Sequence, residues 1–116
     1  MVLRWLVAIV LGAGLLLALV WPGPAWGLES APDGQQLFSI HCAGCHVNGG
    51  NIIRRGKTLK LAVLRRNGIE GPEAVARIAA AGQGQMGGYA SVLGPGGPEA
   101  VGNWVWLQAL AEWPRP

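Results

Sequence analysis

Two cysteines and a histidine lie within five consecutive residues, Cys42-Ala43-Gly44-Cys45-His46. Each thiol can add to one vinyl group of a porphyrin, and two intervening residues set the sulfur atoms at the separation of the vinyls. The adjacent histidine is then placed to ligate the iron from the same side. The spacing C-x-x-C-H therefore predicts one covalent haem c with its iron, held by Cys42 and Cys45, and His46 as an axial ligand. Because such haems are attached outside the cytoplasm, the motif also predicts export.

Two other interpretations of the cysteine pair fit the sequence less well. A C-x-x-C redox pair normally accompanies a βαβ pattern, and that pattern is absent here. A zinc site would need two further ligands at metal-binding spacing. The sequence has no third cysteine and only one histidine besides His46.

The second axial position of the iron indicates the class of function. An unoccupied position leaves the iron open to a substrate, whereas a second protein ligand suits the haem to electron transfer. Met86 is the only methionine besides Met1, and it lies in a glycine-rich loop well downstream of the haem motif. We predict it as the second ligand. His41 competes, but it adjoins the first cysteine and is tethered to the proximal side. Lys57 and Lys60 are conceivable ligands, although lysine normally prefers solvent.

The N-terminus has the pattern of an export segment. Arg4 precedes an apolar run over residues 5–20, a Trp-Pro-Gly-Pro break and the small residues Ala25 and Gly27. We predict a signal peptide over residues 1–27 and one haem domain over residues 28–116. The alternative is an uncleaved membrane anchor, for which the apolar run is at the short end of the usual span of about 17–25 residues.

The part after the leader carries eight Lys/Arg and six Asp/Glu, a formal charge of +2 that two haem propionates would roughly cancel. Nucleic-acid-binding domains are usually strongly basic with a clustered footprint, so no nucleic-acid partner is indicated. A chain this short makes one domain, and its core often needs additional support. The haem can supply that support by filling the centre of the core.

The remaining pattern predicts an all-α domain. Asp33 can cap a first helix, with apolar groups on one side that lead into the haem motif. A loop follows over residues 47–56, then a helix over 59–67 capped by Thr58 and stopped by Gly68. Pro72 starts a third helix that ends at Gly82. The inward-facing positions of these three helices are Leu37, Phe38, Ile40 and Ala43, then Leu61 and Leu64, then Val75, Ile78 and Ala79.

Residues 83–97 hold six glycines and a proline, which predicts a loop without a helix. Pro98 and Glu99 open the last helix. Its apolar positions are expected to face the core; they are Val101, Trp104, Val105, Leu107 and Leu110.

Over residues 32–113 the chain resembles the cytochrome c6 group of small class I c-type cytochromes. The Lys-Thr-Leu segment after a glycine/asparagine loop is the more specific part, because the haem motif is shared by many c-type families. The matching residues are Gly34, Phe38, the haem motif, Gly49-Gly50-Asn51, Lys57-Thr58-Leu59-Lys60, Asn67-Gly68, Gly82, Met86, Val101 and Asn103-Trp104-Val105.

The resemblance implies the class I cytochrome c fold, with four main helices around one haem and a close crossing of the first and last helices. Glycine at position 34 would let Trp104 approach that crossing. The resemblance also implies His46 and Met86 as axial ligands. Residues expected in the haem environment are Asn51, Ile78 and Tyr89.

Three positions depart from the family pattern. The ligand methionine is commonly followed by proline but here by Gly87, so the loop could be looser. Ile78 stands where many high-potential members have glutamine beside the haem, which suggests a lower potential. Val92 aligns with an arginine that many members use for docking. These differences suggest a c6-like paralogue.

The expected function is that of a soluble one-electron carrier and not an enzyme. The resemblance implies a cytochrome b6f-type donor, photosystem I or a terminal oxidase as acceptor, transient docking, a monomer, and a place in the thylakoid lumen or periplasm. Two alternatives remain: a haem-based sensor or enzyme with a labile sixth ligand, or a structural haem subunit of a membrane complex. The residues that could guide an acidic partner, or simply form a solvated face, are Arg54, Arg55, Lys57, Lys60, Arg65 and Arg66.

Overall fold

The computed structural model describes residues 2–6, 23 and 30–115. The predicted leader and its cleavage site before Leu28 therefore lie largely outside the described residues. Within the described ranges, none of the helices combines the length and the apolar character needed to cross a bilayer.

Residues 30–115 form helices and loops, and no β-strand occurs among them. This confirms the all-α prediction. The α-helices are α1 (Gly34–His41), α2 (Leu61–Arg66), α3 (Pro72–Ala81), α4 (Ala90–Leu93) and α5 (Gly97–Leu110). Two short 3₁₀ turns, Val47–Gly49 and Arg55–Lys57, interrupt the stretch that the sequence predicts as a plain loop.

Helix α1 begins as predicted at Asp33, whose carboxylate accepts hydrogen bonds from the backbone N–H groups of Gln35 and Gln36. Phe38 is buried against the core. The inward placement of Ile40 is wrong, because its side chain is 66 % exposed. Two residues along a helix correspond to a rotation of about 200°, which turns Ile40 away from the face that carries Phe38.

Helix α2 is shorter than predicted, and Thr58 is not its cap. Thr58 and Lys60 have extended backbone angles, and the helix begins at Leu61 without a side-chain cap. The backbone N–H of Leu59 instead donates to the Gly49 carbonyl at 2.7 Å. This long-range hydrogen bond keeps the chain extended where local sequence favours a helix start. The predicted stop at Gly68 is confirmed, and Leu64 is buried.

Helix α3 has the predicted ends, with proline in its first turn and Gly82 at its C-cap. Its buried stripe consists of Val75, Ala76 and Ala79, while Ile78 is half-buried at the edge of that stripe.

The segment predicted as a helix-free loop contains the single turn α4. Leu93 at the end of this turn is buried in the core cluster, and the backbone N–H of Tyr89 donates to the Ala79 carbonyl on α3 at 2.9 Å. Burial of one leucine and attachment to α3 thus order a helical turn in a glycine-rich segment.

Helix α5 presents Val101, Val105 and Ala109 to the core, a stripe with the four-residue spacing of one helix face. The predicted inward positions Leu107 and Leu110 are wrong, since their side chains are 61 % and 49 % exposed. Near the end of α5, the buried position is occupied by the small residue Ala109 and not by a leucine, because α3 packs closely along this face.

Helices α1 and α5 cross at a point where side chains are excluded. A Cβ atom on Gly34 would overlap the Ala100 carbonyl and touch Trp104. The expected close crossing of the first and last helices is therefore confirmed. Beside it lie three aromatic rings, with Phe38 at 4.7 Å from Trp104 and 5.6 Å from Trp113 between ring centroids.

Candidate haem site

The haem motif forms a tight turn at the end of α1. Cys42 caps the helix and donates its backbone N–H to the Phe38 carbonyl at 2.9 Å. The Cys42 carbonyl then accepts the N–H groups of Cys45 and His46 at 3.2 and 2.9 Å. The two cysteines do not form a disulfide with each other; Cys42 is half-buried and Cys45 is exposed. The turn therefore gathers two thiols and an imidazole beside the C-terminus of one helix.

The imidazole of His46 is held in one tautomer. Its Nδ1 lies 2.8 Å from the Gly50 carbonyl oxygen, and the ring is half-buried. A carbonyl can only accept, so Nδ1–H donates, and in the neutral imidazole the lone pair is then on Nε2. Metal-ligating histidines typically have their other ring nitrogen bound in this way. The geometry therefore suits His46 to bind iron through Nε2.

Burial raises the pKa of the Cys42 thiol, because desolvation disfavours the thiolate. Cys42 also packs against the hydrophobic core. Reactive C-x-x-C pairs depend on a lowered thiol pKa. The environment of Cys42 is the opposite, which argues against a dithiol redox centre.

Thr58 provides a test of whether the site fits a haem. Its hydroxyl is buried and has no hydrogen-bond partner among the described residues. Buried hydroxyls in native proteins nearly always have a partner. A haem carboxylate would satisfy this group, and the free thiols and the oriented imidazole suit the rest of the same cofactor. The residues present therefore fit a covalently bound haem.

Met86 lies at the end of a small closed turn. The backbone N–H and carbonyl of Met86 pair with those of Gln83 at 3.0 and 2.9 Å. This turn follows the end of α3, and the bond from Tyr89 to Ala79 folds the next residues back along the same helix. Met86 is half-buried. Reciprocal hydrogen bonds thus hold the loop despite the glycine that follows the methionine.

The competing ligands are placed differently. His41 occupies the last turn of α1, directly before Cys42. The ammonium of Lys57 donates to the Asn67 side chain at 3.1 Å, and Lys60 is exposed.

Asn51 organises the loop after the haem motif. Its Oδ1 accepts the backbone N–H groups of Ile53 and Arg54 at 2.9 and 2.7 Å, and its Nδ2 donates to the Lys57 carbonyl at 3.1 Å. The Asn51 side chain therefore stabilises the backbone conformation of the loop. Of the other residues expected near the haem, Tyr89 packs against the core cluster and Ile78 is half-buried on α3.

The six basic residues predicted for docking are all exposed along the 3₁₀ turn and α2. Asn67 ties this segment together, since its Nδ2 donates to the carbonyls of Gly56 and Val63. The basic side chains are thus carried by a well-connected piece of backbone.

Trp113 is the residue that sequence reasoning missed. It lies beyond α5, is 8 % exposed, and donates its indole N–H to the Leu59 carbonyl at 3.0 Å. Its ring covers Gly49 so closely that a Cβ atom there would overlap the indole. The sequence does contain a signal for this residue, a tryptophan just after the last helix, because so large an apolar ring is usually buried.

This arrangement of a haem turn at the end of the first helix, within four main helices and one short turn, defines a class I c-type cytochrome. The family model for cytochrome c oxidase, cbb3-type, subunit III matches residues 29–105. A cytochrome c6-like protein of Nostoc sp. is 40 % identical over 90 residues, which cover 78 % of this chain and 81 % of that protein. Cytochrome c6 of Microcystis aeruginosa is 37 % identical over 81 residues, covering 70 % of this chain and all of the relative (100 %).

Solved structures agree with these relatives. Cytochrome c6B from Synechococcus sp. WH8102 is similar with 55 % identity and a TM-score of 0.71, over 76 % of this chain and 100 % of that one. Cytochrome c6C from Synechococcus sp. PCC 7002 is similar with 44 % identity and a TM-score of 0.66, over 69 % and 98 % of the two chains. The chain belongs to the cytochrome c6 family. It is an electron-transfer protein with a covalently bound haem c and its iron, and not an enzyme. Like its relatives, it is a redox carrier that docks with partner proteins. The cytochrome c6 relatives are lumenal or periplasmic proteins.

Proposed function

We propose that the chain carries one electron on an iron closed by His46 and Met86, with the haem attached through Cys42 and Cys45. The observation that supports this most directly is the hydrogen bond from His46 Nδ1–H to the Gly50 carbonyl, which leaves Nε2 free for the metal. A haem bound here supplies an iron that alternates between Fe(II) and Fe(III). The polypeptide holds the ligands in place and excludes water from the ring.

Substituting Met86 with alanine tests whether Met86 is the second axial ligand of the iron. Oxidised protein should show the weak absorbance band at the red end of the visible spectrum that reports methionine–Fe(III) ligation, and M86A should lose it. As a control, His41→Ala should retain the band. A wild-type spectrum without the band, or an M86A spectrum that keeps it, contradicts the proposed ligand.

We further propose that the potential is lower than in family members with glutamine beside the haem. Ile78 is half-buried next to the buried residues Val75 and Ala79 on α3, so it places a purely apolar group at this position. Polar groups and hydrogen bonds around a haem are among the determinants of its potential.

The effect of Ile78 is measured by potentiometric titration. Ile78→Gln should raise the midpoint potential, whereas Ile78→Leu should leave it near the wild-type value. An unchanged potential in I78Q would remove this residue as the cause. A wild-type potential equal to that of an ordinary c6 would contradict the low-potential proposal.

The proposed setting is photosynthetic electron transport, which the similarity to cytochrome c6 relatives supports. We propose a cytochrome b6f-type donor and photosystem I or a terminal oxidase as acceptor, reached by a monomer in the thylakoid lumen or periplasm. The exposed basic residues between positions 54 and 66 support an acidic partner. Residues 1–27 are proposed as a cleaved signal peptide and residues 28–116 as the cytochrome c domain.

A further inference from the structure

Trp113 contacts two separate segments near the haem motif, and the nearer of them, at Leu59, lies 54 residues earlier in the chain. Its indole N–H donates to the Leu59 carbonyl at 3.0 Å. Its ring lies directly on Gly49, which is buried and has a φ of +75°. A side chain at position 49 would collide with the indole and also require a conformation that non-glycine residues rarely adopt.

These contacts lead by hydrogen bonds to the imidazole. Leu59 donates its N–H to the Gly49 carbonyl at 2.7 Å, and Gly49 donates to the His46 carbonyl at 3.1 Å. Gly50, the next residue, accepts the Nδ1–H of His46 at 2.8 Å. The indole thus clamps the turn whose carbonyl sets the orientation of the histidine ring.

Trp113 holds this position in an uncommon backbone conformation. Its φ is +53°, and that of Glu112 before it is +60°. Bulky residues seldom adopt such angles, and they persist only where surrounding contacts impose them. The contacts here are Phe38 and Trp104, whose ring centroids lie 5.6 Å from that of Trp113. The chain turns sharply after α5 to bring the indole onto the haem turn.

We propose that Trp113 is a positioning residue for the axial histidine, acting through Gly49 and Leu59 on the Gly50 carbonyl. The inference rests on the proposed function of His46 as an iron ligand. The same clamp holds the segment that carries the buried Thr58 hydroxyl, because Leu59 is the next residue. The C-terminal segment, which contains no residue of the haem motif, thereby helps to set the orientation of the imidazole.

The test compares Trp113→Phe with Trp104→Phe in the haem-loaded protein. Both changes remove an indole from the same aromatic cluster, but only W113F removes the bond to Leu59. Hydrogen exchange should become at least tenfold faster at His46 Nδ1–H and the Leu59 amide in W113F. It should stay near wild type at the amides of α3. The haem methyl resonances of the Fe(III) protein, which report the orientation of the axial ligand planes, should change their spread in W113F and not in W104F.

A purely structural role would give another result. Exchange would then accelerate in α3 as much as around His46, or the two variants would alter the haem methyl resonances equally, and either outcome overturns the proposal.

Wild-type protein provides a measurement that needs no variant. The Trp113 indole N–H and His46 Nδ1–H should be protected to a similar degree; an indole proton that exchanges a hundredfold faster than the imidazole proton overturns the clamp. The ligand role has its own signal in the same spectra. Wild-type His46 ring protons without iron-induced shifts would refute the proposed function. Shifted ring protons that W113F leaves unchanged, together with wild-type exchange rates, would refute the clamp alone.

Discussion

Thr58 places a hydroxyl inside the protein where no group of the described residues meets it. From its position before a helical pattern, the residue reads as a cap, but the backbone stays extended there and the cap is not made. The hydrogen bond between Leu59 and Gly49 determines this outcome. The Thr58 side chain, which the sequence pattern predicts as a helix cap, is instead a buried hydroxyl with no partner among the described residues.

Replacing Thr58 with valine tests this contact. If a haem carboxylate accepts from the hydroxyl, T58V should lower the free energy of unfolding of the haem-loaded protein by about 1–2 kcal/mol. Thr58→Ser keeps the hydroxyl and should lose less. The values are measured by guanidinium unfolding monitored through haem absorbance. Unchanged or increased stability in T58V would show that the hydroxyl has no partner, because removing an unsatisfied buried hydroxyl is neutral or stabilising.

The helices differ in how well their buried faces follow from the sequence. In α3 the small and branched residues lie where the period predicts, with Val75 and Ala79 buried. In α5 nearly every position is apolar or small, so the sequence pattern gives little indication of which face of the helix is buried. Packing against α3 and α1 selects the face with Val101 and Val105, and leaves Leu107 exposed.

This assignment of the α5 face predicts opposite results for two residues on the same helix. Val105→Ala should destabilise the protein by about 2 kcal/mol, because it removes buried methyl groups and leaves a cavity. Leu107→Ala removes a larger side chain but should change stability by no more than about 0.5 kcal/mol, since that side chain is mostly in solvent. Thermal unfolding of both variants provides the comparison. A larger loss in L107A than in V105A would contradict the described orientation of α5.

Across the whole molecule, positive charge is unevenly distributed. The formal net charge is only +3, yet six exposed basic residues are concentrated between positions 54 and 66. Side-chain amides of Asn51 and Asn67 hold this segment in one conformation. A fixed group of like charges can attract an acidic redox partner without tight binding, as a carrier that must dissociate requires.

Reversing two of these charges should slow association with an acidic redox partner. The double change Arg65→Glu and Arg66→Glu should reduce the second-order rate about tenfold at low ionic strength, and the difference should shrink in high salt. Arg77→Glu, on an exposed position of α3 outside the basic segment, is the control and should have a smaller effect. Stopped-flow electron transfer gives both rates. Equal rates for wild type and the double variant at low salt would assign these residues to an ordinary solvated surface.

Features made within a few residues could be predicted from the sequence. The haem motif, the Asp33 cap and the proline and glycine at the ends of α3 each depend on neighbours along the chain. Their geometry follows from local hydrogen bonding and from the fixed angles of proline, whatever the rest of the fold does. The cofactor could be inferred for the same reason, because the residues of the haem motif are adjacent.

Folding in three dimensions determined the rest. Trp113 meets Leu59 across 54 residues, and Leu93 orders a helical turn among glycines only because a core is there to receive it. Leu107 points outward although it is as apolar as the residues that point inward. Burial and long-range hydrogen bonds depend on which segments meet, and no spacing along the chain encodes that. Local chemistry thus defined the haem motif, and packing of distant segments placed Trp113 against the turn that follows its histidine.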